Sequence, residues 1–506
     1  MLMPLPRILI TAPKSGSGKT TLTCALMGAL RQRGLRVLAC KCGPDYVDPT
    51  FHERLGAAGR VNLDPFFQPE ALMRDLLAYE GRGCDIACIE GAMGFYDGIG
   101  ATVQASAWDV ARITETPAVL ALDARGAAAS LAAQVLGFVT MRTPSHIAGV
   151  VLCHTSARLA DMVAPAIERE CGVPVLGHLP HDDSVTLPSR HLGLVTAQDV
   201  HGLDAKLTKL AELGRECLDV DRIVTLAQSV PDIEHEDAWP PPACVGQAGR
   251  QAGKDAQFAG ARETPAGVPE NAPAPVIAVA RDEAFCFYYA EELELLKALG
   301  AKLAFFSPLH DARLPQGTCG LFLGGGYPEL HARELSENAA MLEEVRAALA
   351  AGLPTIAECG GFLYLLESLT DDTGATWPLV GACKGGAARK AHGRFGYIEL
   401  TTKGPGLLGP AGTVLHGHEF HRWEADDPGC DLKAQKPASE RAWEAGHHTA
   451  SLYAGFPHLY LPGSPDVARR FVQACAQWGA SMAAGGPANT DVRPTKREAW
   501  ACTPTS

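Results

Sequence analysis

"RILITAPKSGSGKTTLTCALMGALRQRG" occupies residues 7–34. It opens as an apolar run, passes through a glycine- and serine-rich turn, and continues with small and aliphatic residues at helical spacing. A buried strand that feeds a helix through such a turn begins a parallel α/β sheet. The turn also carries chemistry. Backbone N–H groups of Gly16, Ser17 and Gly18 can wrap phosphate oxygens, Lys19 can reach the β- and γ-phosphates, and the Thr20 hydroxyl can hold Mg²⁺. The full GxxxxGK[ST] pattern needs glycine at position 13, where Pro13 stands, so the loop is a variant.

The same alternation extends in both halves of the chain. "RVLAC" (36–40), "DIACIE" (85–90), "AVLALD" (118–123), "IAGVVL" (147–152) and "VPVLGHL" (173–179) read as further buried strands. "VIAVARD" (276–282), "AKLAFFSPL" (301–309), "GLFLGGG" (320–326) and "PTIAECGG" (354–361) repeat the style, with a helix over 288–300. Between the halves, residues 239–275 are rich in Pro, Gly, Ala and Gln without an apolar period, the composition of a flexible linker. The reading is therefore an α/β chain with a P-loop NTPase-like parallel-sheet domain (1–200) and a helical connection (201–238). The linker (239–275), a second α/β domain (276–475) and a disordered tail (476–506) follow.

Composition sets the outer bounds. A chain of 506 residues predicts two or three domains. Hydrophobic residues make up 47% and charged residues 20%, an ordinary globular balance. A net charge of −13 argues against general nucleic-acid binding, though not against a local basic pocket for an acidic substrate. There is no apolar run long enough for a membrane span and no signal-peptide pattern. The sixteen cysteines are scattered without a CxxC pair, so a reducing cytoplasm is expected and no zinc or disulfide framework.

Two acidic loops follow strands of the first domain. "KCGPDYVDP" (41–49) sets Asp45 and Asp48 three apart in a turn, and "CIEGAMGFYDG" (88–98) ends a strand on Glu90. Strand ends are where parallel sheets place their chemistry, so these carboxylates are candidates to face a nucleotide's Mg²⁺ or accept a proton. Asp and Pro residues that only shape the first turn are the alternative there. In the second domain Cys359 stands between a short strand and a helix. A thiol at a helix N-terminus is activated by the dipole, whereas a packed cysteine is only a small hydrophobe, and this stretch alone leaves both open.

Taken together the motifs resemble a known family. "APKSGSGKT" with Lys14 before the turn is similar to the deviant P-loops of dethiobiotin synthetases and partitioning ATPases. With "KCGPDYVDP", "NLDPFF", "IEGAMGFYDG", "LPSRHLGLV", "LFLGGGYPELHA", "AECGGFLYLL" and "GHEFHRW", the chain resembles the cobyrinic and hydrogenobyrinic acid a,c-diamide synthases over about residues 7–475.

The resemblance implies an ATP-dependent amide-forming domain joined to a class I glutamine amidotransferase domain. It implies a corrinoid polycarboxylate substrate, ATP and glutamine as cosubstrates, and Mg²⁺. No nucleic-acid or membrane partner is implied, and a homodimer stays open. By resemblance Cys359 is the glutaminase nucleophile, Gly324, Gly325 and Gly326 supply the oxyanion hole, and His458 in "AGFPHLYL" (454–461) is the base. His418 and His421 compete with it, and His447 and His448 do so less closely. Tyr460 occupies the position of a third triad member, so none is assigned. Thr20, Asp45 and Glu90 become Mg²⁺ ligands, Asp45 and Asp48 position the substrate carboxylate, and Lys41, Arg190, Arg389 and Arg394 are candidate contacts to a polyanion. Cys153 and His154 stand where relatives commonly carry an asparagine near the adenine. Cobyric acid synthase, which amidates other corrin side chains, and a partitioning-type regulatory ATPase are the rival readings.

Overall fold

The computed structural model describes residues 1–187, 200–241, 243–244 and 273–484, with residue 197 and the backbone of 189–190 and 193–194. Most of the expected linker, all of the chain beyond 484 and the Arg190 side chain lie outside the described residues. The chain divides into two units, Met1–Trp239 and Pro240–Ser506.

The first unit is built on a seven-stranded sheet of β1 (Arg7–Thr11), β2 (Val37–Cys42), β3 (Gly59–Leu63), β4 (Ile86–Glu90), β5 (Ala118–Asp123), β6 (Ile147–Cys153) and β7 (Val175–Leu179). Its spatial order is β3-β2-β4-β1-β5-β6-β7, and every pairing is parallel. Strands β1, β2 and β4 are buried throughout, which is why they read as unbroken apolar runs. Helices α1 (Lys19–Gln32), α2 (Asp48–Arg54), α3 (Glu70–Glu80), α4 (Ala107–Ile113), α5 (Ser130–Thr140) and α6 (Ala157–Cys171) connect them. β3, at the sheet edge, was not anticipated; its "GRVNL" carries too little apolar signal.

The expected helical connection 201–238 is instead part of this unit. Helices α7 (Leu203–Cys217) and α8 (Val220–Gln228) contribute Leu203, Leu207, Leu210, Val220 and Ile223 to its core. α7 lies hard against α1: a Cβ on Gly28 would come within 2.4 Å of the Ala211 Cβ, and one on Gly214 within 2.2 Å of the Ala25 carbonyl oxygen. Asp75 then fixes the exit of the chain by accepting N–H bonds from Glu236, Asp237 and Ala238.

The second unit holds a six-stranded sheet formed by β8 (Val276–Ala280), β9 (Lys302–Phe306), β10 (Thr318–Leu323), β11 (Thr355–Glu358), β16 (His447–His448) and β17 (Leu452–Gly455). The order is β9-β8-β10-β11-β17-β16, and only β16 runs antiparallel. Helices α9 (Ala290–Ala298), α10 (Ala339–Ala350) and α11 (Gly360–Leu365) accompany it. A second sheet rests on the long antiparallel hairpin β12 (Gly386–Thr402) and β13 (Val414–Ala425), joined by β14 (Leu432–Gln435), β15 (Ala442–Ala445) and β18 (His458–Leu459). Helix α12 (Pro465–Ala483) runs past residue 475, where the disordered tail was expected. Its apolar stripe continues through Cys475 to Trp478, and Gly479 lets it approach Cys319. No helix among the described residues is long and apolar enough to cross a membrane.

Candidate functional site

Chemistry in the first unit collects where β1, β2 and β4 end. Gly18, at φ 94, caps α1 in the left-handed region that glycine enters without penalty. Lys19 therefore starts the helix with its amine turned back over the loop, donating to the carbonyls of Lys14 (3.3 Å) and Met93 (2.6 Å). Burial, and then the neighbouring Lys41, lower the Lys19 ammonium to about 8. Lys14 itself is exposed. A Cβ on Gly18 would meet Cys153 Sγ at 3.5 Å and His154 Cε1 at 3.7 Å, so the end of β6 walls the loop.

Beside the loop is a charge cluster. Thr20 Oγ1 donates to Glu90 Oε1 at 2.7 Å and lies 3.5 Å from Asp48 Oδ2. Lys41 Nζ stands 2.6 Å from Asp48 Oδ2, 3.4 Å from Glu90 Oε1 and 3.5 Å from Asp45 Oδ2. His52 Nε2 is 2.8 Å from Glu90 Oε2. Burial alone would raise Glu90, but Lys41 and His52 outweigh it and bring the carboxyl down to about 2. Asp45 goes the other way, to about 6, through burial and the charge of Asp48. Its Oδ1 accepts the N–H groups of Val47 and Asp48, so this carboxylate both shapes the turn and faces the cluster. Lys41 is buried inside this cluster rather than offered to a substrate as a surface charge. Arg389 and Arg394 belong to the second unit, where they pair with Asp372 at 3.2 Å and Glu424 at 3.5 Å.

The oxygen donors here suit Mg²⁺. Among the described residues no group of three or more His, Cys, Asp or Glu side chains could cage a metal. A nucleotide-borne Mg²⁺ asks for less: one hydroxyl and one or two carboxylates, with phosphates and water completing its shell. Thr20 and Glu90 meet that need, with Asp48 next to them.

In the second unit Cys359 sits at φ 48 between β11 and α11, a sharp strand-to-helix elbow. Burial pushes the thiol up, with Glu329 and Glu419 adding to the shift, so a thiolate there depends on a base. A Cβ on Gly360 would lie 2.9 Å from the Gly326 nitrogen, and one on Gly325 only 2.4 Å from His458 Cε1 and 3.2 Å from its Nε2. The elbow, the glycine loop and His458 thus close on one another. Gly324 departs from its expected role: its N–H is engaged by the Tyr288 hydroxyl at 2.8 Å, which leaves Gly325 and Gly326 facing the elbow.

His458 is buried and stacks on His418 with ring centroids 4.9 Å apart. Burial and the nearby His458 hold His418 well below the usual imidazole range. The other histidines are tied into structure. His421 Nδ1 lies 2.7 Å from the Trp423 carbonyl, His448 Nε2 accepts the Leu408 N–H, and His447 Nε2 is 3.3 Å from the Asp427 carbonyl. His52 and Glu358 were missed by sequence reading. His52 lies within helix α2, and Glu358 is in plain view as the residue before Cys359.

A phosphate loop with an acidic cluster in one unit and a cysteine elbow with a neighbouring histidine in the other define a nucleotide-binding domain joined to a glutamine amidotransferase domain. Family models agree. Residues 8–195 match the CobQ/CobB/MinD/ParA nucleotide binding domain, and residues 276–464 match the CobB/CobQ-like glutamine amidotransferase domain. The chain is 36% identical over 93% of its length to 98% of the cobyrinate a,c-diamide synthase of Caldanaerobacter subterraneus subsp. tengcongensis. It is 38% identical, over 93% of this chain and 97% of the relative, to the hydrogenobyrinate a,c-diamide synthase of Thermobifida fusca. The cobyrinate enzyme of Thermoplasma volcanium is 35% identical over 94% of this chain and 98% of its own. The chain belongs to the cobyrinate and hydrogenobyrinate a,c-diamide synthase family.

Proposed function

We propose that this chain amidates the a and c side-chain carboxylates of cobyrinic or hydrogenobyrinic acid, using ATP and glutamine. The observation that carries the reading is the elbow at Cys359, packed at Gly360 against Gly325–Gly326, with His458 packed in turn against Gly325. A nucleotide loop in the same chain gives the released ammonia an activated acceptor.

In the glutaminase half, His458 takes the Cys359 thiol proton and the sulfur attacks the side-chain amide carbon of glutamine. The negative oxygen that forms is met by the loop at Gly325 and Gly326. His458 returns the proton to the leaving nitrogen, ammonia departs, and water hydrolyses the γ-glutamyl thioester to glutamate. In the nucleotide half, an oxygen of the substrate carboxylate attacks the γ-phosphorus of ATP, releasing ADP and leaving an acyl phosphate. Ammonia displaces phosphate, loses a proton and leaves the amide. Lys19 is suited to the charge on the transferring phosphoryl group, and Asp45 and Asp48 to positioning the substrate carboxylate or its Mg²⁺. Mg²⁺ held by Thr20 and Glu90 would supply further neutralisation of the phosphates. The acyl phosphate hydrolyses readily, so the nucleotide site must exclude water until ammonia arrives, whereas the thioester needs water to complete its turnover.

The test is Cys359→Ala. Glutamine-dependent amidation should fall at least about 1,000-fold while amidation with free ammonium persists. Equal survival of both reactions removes Cys359 from the role. Mass spectrometry of the product counts the amides, and NMR places them at a and c or, for a cobyric acid synthase-like enzyme, elsewhere.

A further inference from the structure

Deepening the glutaminase reading above, we infer that Glu358, the residue before the nucleophile, is the acid that orients His458, in place of any residue at position 460. Glu358 Oε2 lies 3.7 Å from His458 Nδ1, and both side chains are 2% exposed. The opposite ring nitrogen, Nε2, is the one turned toward the Gly325 backbone beside the elbow. A carboxylate behind Nδ1 keeps Nε2 as the basic nitrogen and favours the imidazolium that forms when the thiol proton arrives; Glu358 takes no proton itself.

The usual position is disqualified by its own bonds. Tyr460 carries no charge at neutral pH, and its hydroxyl donates to Glu291 Oε1 at 2.9 Å. The whole segment after the base is held by buried acids. Leu459 N–H donates to Glu358 Oε1 at 3.1 Å, and Leu461 N–H to Glu292 Oε1 at 3.2 Å. One Glu358 oxygen therefore fixes the backbone next to the histidine while the other faces its ring. Burial and the charge of Glu358 push Glu292 well above the ordinary carboxyl range. Besides His458 and Glu292, the ionisable groups that feel the charge of Glu358 are Tyr288, Tyr453 on β17 and Cys359, while Glu291 acts on Glu292 from the same helix.

Glu358→Gln tests this, because the amide oxygen still accepts the Leu459 N–H and only the charge is removed. The expected result is a glutaminase kcat lower by about 100-fold with glutamine KM within about threefold. The acid limb of kcat/KM should move to lower pH, since an imidazolium without its counterion loses its proton more easily. Ammonium-dependent amidation should match the unaltered enzyme, and Tyr460→Phe should change glutaminase kcat by no more than about twofold. A Glu358→Gln enzyme with unaltered kcat and acid limb overturns the inference, as does a larger loss in Tyr460→Phe. If Glu358→Gln also loses the ammonium reaction, Glu358→Asp decides: a retained acid limb supports the inference and a shifted one overturns it. Cys359→Ala run alongside separates the two levels. Residual glutamine hydrolysis in that variant defeats the glutaminase reading itself, whereas its loss with Glu358→Gln unaffected defeats only the role of Glu358.

Discussion

The nucleotide loop and the cysteine elbow are both strand-to-helix turns with a positive φ at the helix cap, and they use that turn in opposite ways. In the loop the left-handed residue is Gly18, at φ 94, and the working group is Lys19 after it. In the elbow the working residue itself, Cys359, takes φ 48, and the glycines come after it. A non-glycine side chain in that region costs of order 1–3 kcal/mol unless its surroundings hold it. Gly360 and Gly361 provide those surroundings, since a Cβ on either would run into the Gly326 nitrogen or the Leu323 carbonyl. The first site works by charge gathered from three strand ends. The second works by backbone shape, with His458 brought in from nearly a hundred residues away.

That contrast predicts what each site tolerates. The largest effect is expected for Lys19→Ala, which removes the loop's phosphate-facing cation. ATP cleavage and both amidations should fall about 1,000-fold while glutamine hydrolysis by the second unit persists, as a coupled ADP assay and glutamate release would show. Normal ATP cleavage would place the nucleotide elsewhere. Next comes Gly325→Ala, which introduces only a methyl group but drives it against His458. Glutamine-dependent turnover should drop about 100-fold with ammonium-dependent turnover spared, because displacement of a base by an ångström is enough for such a loss. An unaffected enzyme would mean the loop and His458 are not in working contact.

The smallest effect concerns Asp45. Its carboxyl is raised from 3.8 to about 6, so the folded state disfavours its charge. The resulting cost to stability is absent below pH 3.8, grows as pH rises, and is complete above pH 6. Asp45→Asn keeps the bonds from Val47 and Asp48 N–H but cannot ionise. It should therefore stabilise the protein more at pH 7.5 than at pH 5, by about 1 kcal/mol, in denaturant unfolding. Glu90 has the opposite sign: held at about 2, it contributes stability above pH 4.5 that is lost as pH falls toward 2. A flat Asp45→Asn difference between the two pH values would show that the cluster does not penalise that charge.

The same contrast explains what could be read in the sequence. Glu90 ends a strand of the parallel sheet and Thr20, Asp45 and Asp48 come after strand ends, and such ends converge at one sheet edge by geometry. Lys41 is visible as a basic residue at a strand end, but nothing local says that its amine turns inward among three carboxylates. His52 is silent in sequence because its partner Glu90 is 38 residues away. In the second unit Cys359 is marked by the two glycines that follow it, but its neighbours depend on folding. Neither the engagement of Gly324 by Tyr288 nor the approach of Glu358 to His458 has a local pattern. Helices α7 and α8 look like a connection because their small residues, Ala211 and Gly214, show their purpose only against α1.

In the proposed reaction the Cys359 thiol frees ammonia from glutamine, and that ammonia reaches a carboxylate activated by ATP. This coupling is tested most directly by incubating the enzyme with ATP, glutamine labelled with ¹⁵N at the side-chain amide, and cobyrinic or hydrogenobyrinic acid, followed by mass spectrometry. The expected product has two amides, both carrying ¹⁵N, and forms only when ATP is present; Cys359→Ala should yield the same diamide, unlabelled, only from added ammonium. Label incorporation without ATP, or ATP consumption with an unchanged corrinoid, would contradict the proposed reaction.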